Sequence, residues 1–279
     1  MKTVKSSIKL NGAGLMFAAP VELEIKPSEE IGIRFHINGS VIEADVNNVV
    51  STEHCVIVAD IANGAKNKIA LIEHFMAACA ICEIDALDVY FNSVGFEMPI
   101  FDGSAKVWVD EFNKAGFVGE PEEVEPLNAT LTFERNNSTI AIIPSQNPTT
   151  ITYAVNFKHP DLNNRWVNLD LSKNLDEIIE ARTFGYLSDL EKFQAAGYSK
   201  GVTIENTVGL KDDGTYTTEL RSQYEPAKHK ILDIIGDLYL TGFNPLKINA
   251  NIIVKEAGHA YHVELARELK ETLKGDYNG

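Results

Sequence analysis

Cysteine is scarce. Only Cys55, Cys79 and Cys82 occur in 279 residues, an odd count that excludes a disulfide scaffold and fits a reducing compartment. Positive charge is short as well: 25 Lys and Arg stand against 40 Asp and Glu, a formal net charge of -15. That balance argues against non-specific attraction to nucleic acid or to an anionic membrane surface, so any anionic ligand must be held by local Lys or Arg. A run of about 18 apolar residues is missing, and with it the expectation of a transmembrane helix. The opening "MKTVKSSIKLNGAG" lacks the apolar core of a secretory signal, so a cytoplasmic location is expected. A second CxxC is also absent. The lone "CAIC" sits inside an apolar helical run, where buried Cys behaves as a small hydrophobe rather than as a redox pair or half of a zinc site.

What is present is enough apolar material, 44% of residues, to fill a proper core. The clear break in composition is "GEPEEVEPLN", residues 119–128, where two prolines and four glutamates interrupt the apolar periodicity. It reads as a linker between a domain of residues 1–120 and another of 127–279. Before it, "VELEIKP", "IGIRFHING" and "LDVYFNS" read as strands, and "NKIALIEHFMAACAIC" and "SAKVWVDEFNKAG" as helices, the latter with Ser104 as N-cap and Gly116 as its stop. After it, "ATLTFERN", "TIAIIP" and "TITYAVNF" read as strands, followed by the helix "EPAKHKILDIIGDLYLTG", the strand "LKINANIIVKE" and the helix "HAYHVELARELKETLK". Both halves run strands, helix, strand, helix. The pattern predicts an α+β fold of two similar domains, with the helices sandwiched between the two sheets. A strand–helix–strand pattern at about 184–210 interrupts the repeat and has the length of a β-α-β insert in the second domain.

Within "KHKILDIIGDL", His229, Asp233 and Asp237 recur at steps of four, so they drift by only about 40° per step and form one polar stripe. Ile231, Ile234, Ile235 and Leu238 cover the opposite side. Such a stripe is equally that of an amphipathic helix with a solvated face. The helix of "EHFMAACA" is apolar almost all round and therefore buried, yet it carries Glu73 and His74, and a buried carboxylate is costly unless paired or near a metal. A core histidine bonded to backbone, with Glu73 serving the helix dipole, is the alternative. Taken together, His74, His229 and Asp233 make an N/O donor set that suits zinc, or Fe2+, with one position left for water. Glu73 beside it could act as base. His259, in the glycine-led "AGHAYH", stands at a strand-to-helix junction where a general acid would be exposed, and His262, one turn on, reads as structural.

These motifs in their order, "EHFMAACA", "EMPIFDGSA", "NFKHPDL", "ARTFGYL", "KHKILDIIGDL" and "KEAGHA", resemble the UDP-3-O-acyl-N-acetylglucosamine deacetylase family over nearly the whole chain. The resemblance implies a zinc-dependent amidohydrolase acting in lipid A synthesis on a UDP-linked, 3-O-acylated N-acetylglucosamine. It implies His74, His229 and Asp233 as metal ligands, Glu73 as general base, His259 as general acid oriented by Asp237, and Thr183 as a donor to the developing oxyanion. Lys230 matches the residue that contacts the diphosphate, and Leu15 and Phe184 fall on the substrate side. The insert from Phe184 to about Leu210 matches an element that forms an apolar passage for the acyl chain. Three positions in two segments depart from the family pattern: Met16 stands where a histidine is common, and Ala70 and Leu71 replace a Ser-Thr pair. A deacetylase of a different N-acyl sugar, or a non-catalytic module that binds UDP-sugars, are the other readings the chain admits.

Overall fold

Alternation of apolar and polar residues in Pro20–Pro27 buries Val21, Leu23 and Ile25 while Glu22 and Glu24 face outward, the expected pleat of a strand covered on one face. In a computed structural model, which describes residues 1–93 and 95–277, this strand belongs to a five-stranded sheet. Its members are β1 (Ile8–Ala13), β2 (Pro20–Pro27), β3 (Gly32–Ile37), β4 (Ser40–Glu43) and β5 (Ala86–Phe91), in the order β1-β2-β5-β3-β4. All neighbours are antiparallel except β3 and β5. Helix α1 (Glu73–Ile81) precedes β5 and α2 (Lys106–Ala115) follows it.

The second half repeats this plan. β6 (Leu131–Arg135), β7 (Ser138–Pro144), β8 (Thr150–Val155) and β9 (Arg165–Asp170) come first, then a short α3 (Leu175–Ile179) that the sequence pattern did not announce. The insert follows as β10 (Thr183–Tyr186), α4 (Leu187–Ala195) and β11 (Thr207–Leu210), with β10 and β11 parallel. Then come α5 (Glu225–Tyr239), β12 (Ala250–Lys255) and α6 (His259–Tyr277). The sheet order is β6-β7-β12-β8-β9, again with one parallel pair, β8 and β12. Numbering the strands within each half gives 1-2-5-3-4 twice. The duplicated α+β architecture expected from the sequence is therefore what forms, with the helices between the sheets.

Two local expectations need correction. The helix expected to start at Asn67 starts at Glu73: Lys68–Ala70 is instead a strand, antiparallel to Ile57–Ala59 in a small sheet completed by Val49–Ser51, and Leu71, at φ +63°, turns the chain between strand and helix. A short apolar run fits a buried strand as well as a helix, so periodicity could not separate them. For α2 the N-cap position is Ala105 rather than Ser104, although the Ser104 hydroxyl still accepts from the Lys106 amide at 3.1 Å. Residues 119–128 carry neither helix nor strand, but they are tied on both sides, through Glu122 N to Asp85 and Leu127 N to Ile248 O.

The two halves meet where α1 packs on α5. Gly236 makes the approach possible: a Cβ there would stand 2.0 Å from Glu73 O and 3.1 Å from Ala77 N, so a larger residue would drive the helices apart. Cys79 and Cys82 are both buried free thiols at the end of α1, and burial raises their pKa.

Candidate active site

Crossing of α1 and α5 brings the first turn of α1 against the middle of the polar stripe on α5. His74 lies 3% exposed, His229 2% and Asp233 3%, and their donor atoms all fall within 4.8 Å of one another. Asp233 Oδ1 is 3.3 Å from His229 Nε2 and 3.8 Å from His74 Nε2. Two donors bound at tetrahedral zinc distances stand about 3.3 Å apart, so the cluster needs little adjustment to hold such an ion. His229 Nδ1 donates to Ala181 O at 2.9 Å, which turns the lone pair of Nε2 toward Asp233 and His74. Asp233 Oδ1 is buried with no hydrogen-bond partner. A carboxylate oxygen left so in a dry site costs on the order of 1–3 kcal/mol, or more for a charged group, and a bound cation would remove that cost. The residues therefore fit a divalent metal.

His259 opens α6 and reaches the same place from the second sheet's side. Its Nδ1 donates to Asp237 Oδ2 at 2.7 Å, and its Nε2 lies 3.9 Å from both Glu73 Oε1 and Asp233 Oδ2. His262 donates from Nδ1 to the same Asp237 oxygen at 2.8 Å, while its Nε2 meets the Tyr153 hydroxyl at 3.0 Å. Asp237, His259 and His262 are close enough to suggest a second cation group. Direct hydrogen bonds of 2.7 and 2.8 Å instead make them an acid–imidazole network, with His262 as its inner brace.

Burial and neighbouring charge push these groups apart in proton affinity. Burial raises Glu73 to about 7 against the pull of His259. Its Oε2 is tied to Val56 N at 3.0 Å, which leaves Oε1 toward His259. Burial works against charge on His259 too, but Asp237 and Asp233 outweigh it and carry the imidazole to about 9. Burial and then His229 drop His74 to about 3, so it stays a neutral donor. Asp233 remains well below the carboxylate range despite its burial, chiefly through Lys230 and His229. A carboxyl poised to take a proton thus faces an imidazolium poised to give one.

Beside this cluster opens a cavity of about 580 Å³. Leu15, Thr183, Phe184, Leu190, Phe193 and Lys230 are among its walls, and Phe184 stands edge-on to the His229 ring at 6.1 Å. Lys230 is also 2.5 Å from Asp233 Oδ2, so its ammonium borders cluster and cavity at once. Thr183 is held from below: its N donates to Gly103 O at 2.7 Å. The adjacent Arg182 is clamped to Glu225 at the start of α5, with Nε at 2.8 Å and Nη2 at 3.1 Å.

All ten residues singled out from the sequence border the cluster or the cavity. Sequence reasoning missed the clamp of Arg182 and Glu225, the carbonyl of Ala181, and Phe157, which stacks edge-on against Phe184 at 5.1 Å. Arg182 gave a usable signal as the one charged residue in the motif "ARTFGYL". The Ala181 carbonyl gave none, since backbone groups are invisible in side-chain patterns.

A sequence profile described as UDP-3-O-acyl N-acetylglycosamine deacetylase matches residues 1–271. A relative named UDP-3-O-acyl-N-acetylglucosamine deacetylase from Leptospira biflexa serovar Patoc is 31% identical, covering 99% of this chain and 91% of its own length. Proteins of the same name from Geotalea uraniireducens and Thermodesulfovibrio yellowstonii are 32% and 30% identical, over 96% and 97% of this chain and 87% and 92% of theirs.

Proposed function

Because the chain belongs to the UDP-3-O-acyl N-acetylglycosamine deacetylase family, we propose that it hydrolyses the acetamide of a UDP-linked, 3-O-acylated N-acetylglucosamine, in a zinc-dependent reaction of lipid A biosynthesis carried out in the cytoplasm. The observation that carries the reading is the buried trio of His74, His229 and Asp233, with an unpartnered carboxylate oxygen, set between Glu73 and His259. Those three residues would hold the metal, with zinc favoured and Fe2+ admissible for the same donors. Bound there, the ion supplies Lewis-acid polarisation of the acetamide carbonyl and lowers the pKa of a water to about 7.

The chain's own groups do the rest. Glu73 Oε1 accepts the proton of the attacking water. Thr183, on the cavity wall, donates its hydroxyl to the oxyanion that develops on the carbonyl oxygen. His259, held by Asp237 through Nδ1, keeps its Nε2 proton beside that charge and delivers it to the departing amine. The C–N bond breaks to give acetate and the free amino sugar. Lys230 takes the diphosphate, while Leu15, Phe184 and the apolar face of α4 line the path of the acyl chain.

The test is acetate release from the acylated UDP-sugar, compared with the unacylated one. Glu73→Ala should keep its metal and lose about 100-fold to 10,000-fold in turnover. Equal turnover of the two sugars by the wild type would discard the acylated precursor as substrate, and full activity in the variant would discard Glu73 as base.

A further inference from the structure

Glu97 is 3% exposed and belongs to none of the groups described above. Its backbone is fixed against the strand that leads into α1, with Ala70 N donating to Phe96 O at 2.8 Å and Met98 N donating to Ala70 O at 2.9 Å. From that base its side chain reaches under a loop of the first half. Oε2 accepts from Met16 N at 3.0 Å, and the loop closes on itself through Gly14 N to Ala19 O at 3.0 Å. Oε1 is buried with no partner. A buried carboxylate with one oxygen unsatisfied is costly to keep, so the contact it does make calls for an explanation beyond packing.

The other face of the same loop carries the insert. Lys200 N donates to Met16 O at 3.1 Å and Gly201 N to Leu15 O at 2.9 Å, while the Phe17 ring lies 6.1 Å from Phe96 and 5.8 Å from Tyr198. Leu15, Met16, Ser199 and Val202 all line the cavity. The amide of Met16 is thus held from beneath and its carbonyl holds the insert from above. One carboxylate anchors both.

We propose that Glu97 is a positioning residue that sets one wall of the acyl cavity, by holding the loop of residues 14–17 in the register on which the insert hangs. The acyl part of this statement rests on the function proposed above; the latch itself does not. The carboxylate works as an acceptor for a backbone amide, so a neutral side-chain carbonyl of equal reach can replace it. A residue that merely fills space in the core would show no preference for the acylated sugar.

The experiment combines amide hydrogen exchange with steady-state kinetics on acylated and unacylated UDP-N-acetylglucosamine. In Glu97→Ala the amides of Met16, Lys200 and Gly201 should exchange about tenfold faster or more, and KM for the acylated sugar should rise roughly tenfold while kcat and the unacylated reaction stay within about twofold. Glu97→Gln should restore both. Unchanged exchange in Glu97→Ala, or a KM rise shared equally by the two sugars, would overturn the proposal. Gly201→Ala approaches the latch from the other side, since a Cβ there would stand 2.2 Å from Gly14 O. It should reproduce the acyl-selective rise even if Glu97→Ala does not fold, and no rise would count against the latch. Should the wild type turn over neither sugar, the proposed function fails, and the exchange measurement still decides whether Glu97 holds the loop.

Discussion

Asp237 accepts from two imidazoles through a single oxygen, at 2.7 Å from His259 and 2.8 Å from His262, and the two histidines separate in consequence of where they sit. His262 is fully buried and its pKa falls, burial being the largest cause. His259 faces two carboxylates besides Asp237 and rises to about 9. The proposed acid is therefore the outer histidine and the brace the inner one. His259→Ala is expected to lower turnover by about 100-fold to 10,000-fold with metal content unchanged, checked by acetate release alongside metal analysis. At this scale much could be read from the sequence, because the i, i+4 spacing of His229, Asp233 and Asp237 survives folding as one face of α5. His74 was less legible: only the cost of polar groups in an apolar helix marked it. The roles of Val56 N and Ala181 O, which orient Glu73 and His229, lay outside any side-chain pattern.

Among the elements, the start of α5 is joined to the residue that leads into β10 by an enclosed ion pair, Arg182 with Glu225, whose side chains are 5% and 0% exposed. Glu225 accepts further from Arg182 N and Arg221 N, at 2.9 and 2.7 Å. The clamp fixes Ala181 and Thr183 relative to His229. Burial alone would raise the Glu225 pKa, but the bonds to Arg182 and Arg221 N hold it below the ordinary value of 4.5. A depressed folded pKa contributes stability that is present above the unfolded value and lost as pH falls through the folded one. Acidification below about 4.5 should therefore weaken the wild type more than Glu225→Gln, seen by denaturant titration across pH. Glu225→Ala at neutral pH should cost about 3–5 kcal/mol, because it strands a buried guanidinium. The elements themselves were largely legible, except for the short α3 and where Lys68–Ala70 took a strand from the front of an expected helix. The competing strands, at Val49–Ser51 and Ile57–Ala59, are three residues each and too short to show a period.

For the molecule as a whole, the repeat of strand order 1-2-5-3-4 matters because the candidate site belongs to neither half. His74 and Glu73 come from the first, while His229, Asp233, Asp237 and His259 come from the second. We propose that residues 1–120 and 127–279 are the two structural units, and their shared helix crossing then becomes the condition for binding metal. Gly236→Ala tests this dependence. A methyl group pressed against Glu73 O should cost about 1–3 kcal/mol and weaken metal affinity in the same step, read by thermal denaturation and by metal titration; a loss of stability with affinity intact would separate the crossing from the site. The duplicated order of periodicities made the architecture legible. The interlocking of loop 14–17 with the insert was not, because it is built from backbone hydrogen bonds between segments almost two hundred residues apart.

Deacetylation of the acylated UDP-sugar should depend on a metal held by His74, His229 and Asp233. The most direct measurement is acetate release by chain stripped with a chelator and then titrated with zinc. Activity should be lost on stripping and return to its plateau at about one zinc per chain. Undiminished turnover by the stripped chain, or no acetate from the zinc-loaded chain, would contradict that dependence.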